Sequence, residues 1–175
     1  IATSTGGLTS CSHIESLLAF ALIYYGARVE ILLCDKVLPA CMMATSNFIN
    51  EDQMAKEGVS KTCDACLDAG KFAFDGLNLK IHYYSDFIKK KEIHEINKFV
   101  KNINISEINS YTEDEISIGE HSLAGTLRYY AVGELHNQKN SHTISKKYLS
   151  AGIITKRVMF NFFKKFDDFE IVVAN

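Results

Sequence analysis

The run Thr5-Gly6-Gly7-Leu8-Thr9-Ser10 is the first place along the chain where chemistry could be done. Paired glycines let backbone N–H groups approach a bound group closely. A helix start directly behind them can hold an anionic or polyhydroxylated ligand. Thr9 and Ser10 add hydroxyls. His13 adds an imidazole, which titrates near neutral pH and could take a proton from a sugar hydroxyl. The loop lacks the third glycine of the G-x-G-x-x-G fingerprint, so it argues only weakly for a dinucleotide. Asp35 follows the second strand, where a ribose-binding acid can sit. Two plainer readings stay open: a tight turn for Gly6 and Gly7, and a surface or capping role for His13.

Cys34, Cys41, Cys63 and Cys66 form a second set. The C-x-x-C spacing puts Cys63 and Cys66 within reach of one ion, and four thiolates could close a tetrahedral structural zinc site. The spacing from Cys34 to Cys41 is wider than in the usual zinc ribbon. The same residues could instead be a redox pair or plain buried thiols. A third set, Gly119-Glu120-His121-Ser122, opens a helix with polar groups. Arg128 lies two turns on, where its guanidinium could grip an acid or phosphate bidentately. Glu120 is equally explained by the helix dipole. His82, His94, His136 and His142 read as structural or surface residues. Asn104-Ile105-Ser106 matches a glycosylation acceptor without a secretory context.

These residues need elements to position them. A short apolar stub precedes the glycine loop. Ser12-His13-Ile14-Glu15 fits a capping box, and Ile14, Leu17, Leu18, Ala21, Leu22 and Tyr25 predict a buried apolar stripe on the helix that follows, with Gly26 as its stop. Val29 to Cys34 is nearly all apolar, as in a parallel strand covered on both faces. The stretch around Pro39, Cys41 and Asn47 reads as irregular. A helix is predicted from Cys63 to Phe74 and a strand from Leu79 to Tyr83. A further helix runs through Phe87 to Ile103, and one from Glu120 to Val132 stops at Gly133. A long helix carries Tyr148 through Phe166, and a last strand covers Ile171 to Asn175. The segment from Ile105 to Ile118 is ambiguous. Strands alternating with helices predict an α/β fold, a Rossmann-like parallel sheet flanked by helices in a single domain.

The chain has 175 residues, with 47% hydrophobic and 23% charged residues and a formal net charge of -2, which gives no argument for a nucleic-acid partner. The lysine pairs and triplet sit among acids on helical patterns and read as solvated faces. No run approaches the ~20 apolar residues of a spanning helix. Both ends read as strand, which predicts a domain within a longer protein.

Gly6-Gly7-Leu8-Thr9-Ser10 with His13, Val29 to Cys34 with Asp35, and Leu38-Pro39-Ala40-Cys41 are the first pieces of a family likeness. Cys63-Asp64-Ala65-Cys66 and Gly119 with Arg128-Tyr129-Tyr130 complete it. Together they resemble the N-terminal Rossmann-like half of two-domain, GT-B-type glycosyltransferases of bacterial surface and capsular polysaccharide biosynthesis. The likeness spreads over most of the chain in short motifs. It implies that residues 1–175 are an acceptor-side domain, with a nucleotide-sugar donor held by a second domain beyond Asn175. It implies a glycan or lipid-linked acceptor, with His13 as the base that activates its hydroxyl. Gly6, Gly7, Thr9, Ser10, Glu120, His121 and Arg128 would surround the substrate. No cofactor is needed for such chemistry, so zinc on the cysteines would be structural. The isolated half would be inactive. The implied location is cytoplasmic, with association at the inner membrane face left open. Two rivals remain: a nucleotide-cofactor domain of an oxidoreductase, and a non-catalytic, zinc-stabilised binding module.

Overall fold

A computed structural model describes residues 1–3, 5–166 and 168. Among the described residues three strands, β1 (Ala2–Thr3), β2 (Glu30–Leu33) and β3 (Lys80–Tyr83), form one parallel sheet in the order β1-β2-β3. Ala2 sits opposite Leu32, and Leu32 opposite His82. The architecture is mixed α/β, a small parallel sheet flanked by helices. The expected strand over Ile171 to Asn175 lies outside the described residues.

Alternation along β2 sends successive side chains to opposite faces. Leu32 packs into a core with Ile154, Val158 and Phe162 of α7 (Ser141–Lys165), the longest helix at 25 residues. Leu33 faces the other way, against Gly70 of α3 (Ser60–Phe74). Helix α1 (Thr9–Tyr24) packs beside α3 on that side. Leu32, Leu33 and Ile31 are fully buried, which explains why the β2 sequence is apolar without a break.

Helix α1 departs from its expected form in two ways. It begins at Thr9, so Ser12 and Glu15 are not a capping box. Ser12 lies inside the helix with its Oγ donating to the Gly6 carbonyl at 2.8 Å. Glu15 accepts from Thr3 Oγ1 at 2.7 Å. The second departure is an inversion of the predicted face. The buried residues are Ser12, Glu15 and Ala19. Ile14 is 66% exposed and Leu17 is 70% exposed. The physical reason is spacing. Gly6 meets Gly70 backbone to backbone, and an added Cβ on Gly6 would stand 2.6 Å from Gly70 Cα. A seam that tight suits the small Ser12 and Ala19, and the longer Glu15 is held inward by its bond to Thr3.

The stretch around Pro39, Cys41 and Asn47 is irregular, as expected, and a helix with no clear sequence signal follows it, α2 (Glu51–Glu57). Asn50 caps it by accepting from Gln53 N–H at 2.9 Å, and Glu51 and Asp52 favour its first turn. The helix stops at Gly58, whose φ of +67° and contact with the Pro39 carbonyl both require glycine. Helix α4 (Lys90–Asn102) falls within the predicted range. The ambiguous segment holds a single-turn helix, α5 (Ile105–Ile108), and a tight antiparallel bridge between Glu113 and Ile116. Helix α6 (Ile118–Tyr130) ends at Ala131 in the left-handed conformation, two residues before the predicted stop at Gly133. Helices α6 and α7 lie in close contact because Gly125 and Gly152 leave room for the Tyr148 ring and for Ile118. Among the described residues, no helix is long and apolar enough to cross a membrane.

Candidate functional site

In a parallel sheet the ligand-binding edge is the carboxyl end of the strands. There the chain forms a cleft of about 210 Å³. Thr5 enters it from the β1 end, and Leu38, Ala40, Cys41 and Met42 enter it from the loop after β2. His121, Ser122, Gly125 and Arg128 come from α6, and Tyr148, Ala151, Gly152 and Thr155 from α7. The α6–α7 contact that glycines permit therefore builds one wall, and Thr5 with the loop after β2 builds the other.

Arg128 and Tyr148 organise this wall. Arg128 Nη1 donates to the Met42 carbonyl at 2.7 Å, and Nη2 donates to the Cys41 carbonyl at 3.0 Å. The Tyr148 hydroxyl donates to the same Cys41 carbonyl at 3.2 Å. These bonds fasten the loop after β2 to the two helices. Burial pushes the Tyr148 phenol well above its usual range, with the Arg128 charge a smaller opposing influence, so it remains a neutral donor. Among the described residues no carboxylate lies within ion-pair distance of Arg128. His121 stands exposed at the rim. Ser122 turns inward and donates to the Ile118 carbonyl at 2.7 Å. Tyr148 and Thr155 carried no signal in the sequence, since their helix reads as a core helix and only the α6–α7 contact brings them to the cleft.

The glycine loop packs against α3. Gly7 N–H donates to Cys66 Sγ at 3.1 Å, so that backbone donor is already used. Gly6 is buried against α3, and neither glycine has a positive φ. Thr5 is the part of the loop that reaches the cleft. Thr9, Ser10 and His13 are exposed on α1 and do not line it. Glu120 is exposed in the first turn of α6, outside the lining. Gly119 is fixed by packing, because an added Cβ would stand 1.9 Å from the Ile108 carbonyl oxygen. The structure thus unites Arg128 and His121 with Thr5. It leaves His13, Thr9, Ser10 and Glu120 apart from them.

The four cysteines share one neighbourhood beside this loop. Burial, with a smaller contribution from neighbours in the set, pushes the Cys34, Cys41 and Cys63 thiols up to about 11. Cys63 Sγ donates to the Val59 carbonyl at 3.3 Å. These are protonated, hydrogen-bonded thiols at neutral pH. All five cysteines of the chain are free. Among the described residues, no group of three or more His, Cys, Asp and Glu side chains is arranged to hold a metal ion. Asp35 is also engaged: it accepts from Ser85 N–H at 3.0 Å and from the Ser85 hydroxyl.

His82, expected to be structural or at the surface, is buried. Its Nε2 lies 2.7 Å from Glu30 Oε2, among the rings of Phe87 and Phe162. His94, His136 and His142 are exposed. No protein-family model, no curated protein and no solved structure matches the chain.

Proposed function

We propose that this chain is the acceptor-side, Rossmann-like half of a GT-B-type glycosyltransferase that moves a sugar from a nucleotide-sugar donor to a hydroxyl of a glycan or lipid-linked acceptor. The observation that supports this reading is the cleft at the carboxyl ends of β1 and β2, with Thr5, His121 and Arg128 on its walls. A hydroxylated acceptor suits its mixture of backbone-fixed polar groups and small apolar side chains. The acceptor oxygen attacks the anomeric carbon of the donor. Its proton passes to an imidazole, and the bond from that carbon to the nucleoside diphosphate breaks, the leaving group keeping the electron pair. His121 is the imidazole that lines the cleft, so the base's role falls to it rather than to His13. The Arg128 guanidinium on the cleft wall attracts an anionic part of the acceptor or donor.

A transfer assay on the complete gene product tests this, with labelled nucleotide sugars and hydroxylated acceptors. His121→Ala lowers turnover by about 10²-fold or more, in the range general bases contribute. His13→Ala leaves it near wild type. Equal turnover in wild type and His121→Ala overturns the assignment. Calorimetric binding of NAD or NADP in preference to nucleotide sugars overturns the transferase reading itself.

A further inference from the structure

The first 27 residues of the chain contain one charged side chain, Glu15, and that carboxylate is buried against Thr3. The outward side of α1 therefore carries no charge among its Asp, Glu, Lys or Arg positions. It carries Ile14, Leu17 and Tyr24, exposed by 66%, 70% and 78%. With Ala21 these residues run 14, 17, 21, 24, the alternating three-and-four spacing of a helix-pairing seam. Phe20 and Tyr25 flank the seam and are also exposed. The rings of Phe20, Tyr24 and Tyr25 alone leave on the order of 400 Å² open to solvent, each aromatic side chain carrying ~150–250 Å². With the aliphatic residues the patch exceeds what monomeric proteins usually expose, and it approaches the roughly 800 Å² per partner of a standard interface.

We propose that α1 is a dimer contact, through which two copies of this chain pair their α1 helices along Ile14, Leu17, Ala21 and Tyr24. Charge decides the occupant. In paired helices the residues beside the seam select a partner by charge, and here those positions are His13, Leu18, Phe20 and Tyr25. A face without carboxylates, lysines or arginines offers no attraction to a charged partner. It meets its own copy without the like-charge contact that a two-fold axis otherwise imposes. A membrane surface is disfavoured by the same composition, since interfacial helices flank their apolar side with Lys and Arg. The central Ala21 lets the two backbones approach. The proposal is independent of the transferase reading, and it gives exposed His13 a place beside the contact.

Light scattering of the purified chain at about 100 µM, where micromolar dissociation constants give mostly dimer, returns twice the 19.6 kDa of one chain. Leu17→Glu puts two carboxylates at the contact and raises the dissociation constant at least tenfold, with an unchanged far-UV spectrum. Tyr24→Arg, at a site of 78% exposure, does the same and serves if Leu17→Glu fails to fold. Phe160→Glu, exposed on α7, leaves the dimer intact. A wild-type mass of one chain overturns the proposal. So does a dimer that survives both α1 variants, or a monomer that floats with phosphatidylcholine–phosphatidylglycerol vesicles only when Leu17 is present.

Discussion

Gly6→Ala separates a ligand cradle from a packing seam. The new methyl carbon would stand 2.6 Å from Gly70 Cα, 2.8 Å from the Cys66 carbonyl oxygen and 2.9 Å from Gly70 N. All three are backbone atoms of α3, so no rotamer change relieves the clash. Carbon atoms rest at ~3.5–4.0 Å, so the glycine loop and α3 must separate by on the order of 1 Å. Overpacking of that kind costs about 1–3 kcal/mol. For a chain of this size that lowers Tm by roughly 3–10 °C. Gly133→Ala is the control, since nothing lies within 4 Å of its added carbon, and a change within about 0.5 kcal/mol is expected there. Calorimetric melts of the ligand-free chain measure both. Gly70→Ala meets the fully buried Leu33 side chain at 2.7 Å and the Gly6 Cα at 3.0 Å, so it presses on the same seam and is expected to lower Tm as Gly6→Ala does. A Gly6→Ala melt that matches wild type refutes the seam. A cradle would show the opposite pattern, with Tm unchanged and ligand affinity lost.

Two further outcomes follow from burial. Desolvation raises the Glu15 carboxyl above its usual range, and the Thr3 hydrogen bond opposes this only in part. The folded state therefore holds that proton more tightly than the unfolded state. The stabilisation is complete below the ordinary carboxylate range and is lost as pH rises through the raised folded value. The difference in urea midpoint between wild type and Glu15→Gln accordingly moves against wild type from pH 4 to pH 8, and a flat difference refutes the assignment. The Cys34, Cys41 and Cys63 thiols, pushed up to about 11 by burial, hold roughly a hundredfold less thiolate at pH 8 than an ordinary cysteine, each pKa unit being tenfold. Iodoacetamide labelling followed by mass spectrometry shows them reacting about that much more slowly than a cysteine peptide. Labelling at the peptide's rate overturns the burial argument.

Local chemistry was legible where one stretch of chain decides the outcome. The unbroken apolar run Val29 to Cys34 forms β2 because a strand buried on both faces has no polar side to show. Gly26 and Gly76 take positive φ just past the ends of α1 and α3, as helix stops do. Helix α2 is not legible in the sequence because it is seven residues long and too short for a clear period. The stripe on α1 was visible as a pattern, but its direction was not. Periodicity shows that apolar residues share a face, and it does not show which face meets the core. The Gly6–Gly70 approach settled that, by allowing Ser12, Glu15 and Ala19 inward and turning Ile14 and Leu17 to solvent.

The candidate site divides in the same way. Arg128 and His121 stood out by type, and their place on α6 was predictable. Their meeting with Thr5, Cys41 and Tyr148 joins residues far apart along the chain, and only the packing of α6 on α7 across the strand ends brings it about. The glycine loop shows the limit most clearly. Residue types alone admit both a ligand cradle and a close helix contact, because both need a missing Cβ. The tertiary structure adds the close contact at Gly6 and Gly7, where α3 packs against the loop and Cys66 Sγ accepts from the Gly7 N–H.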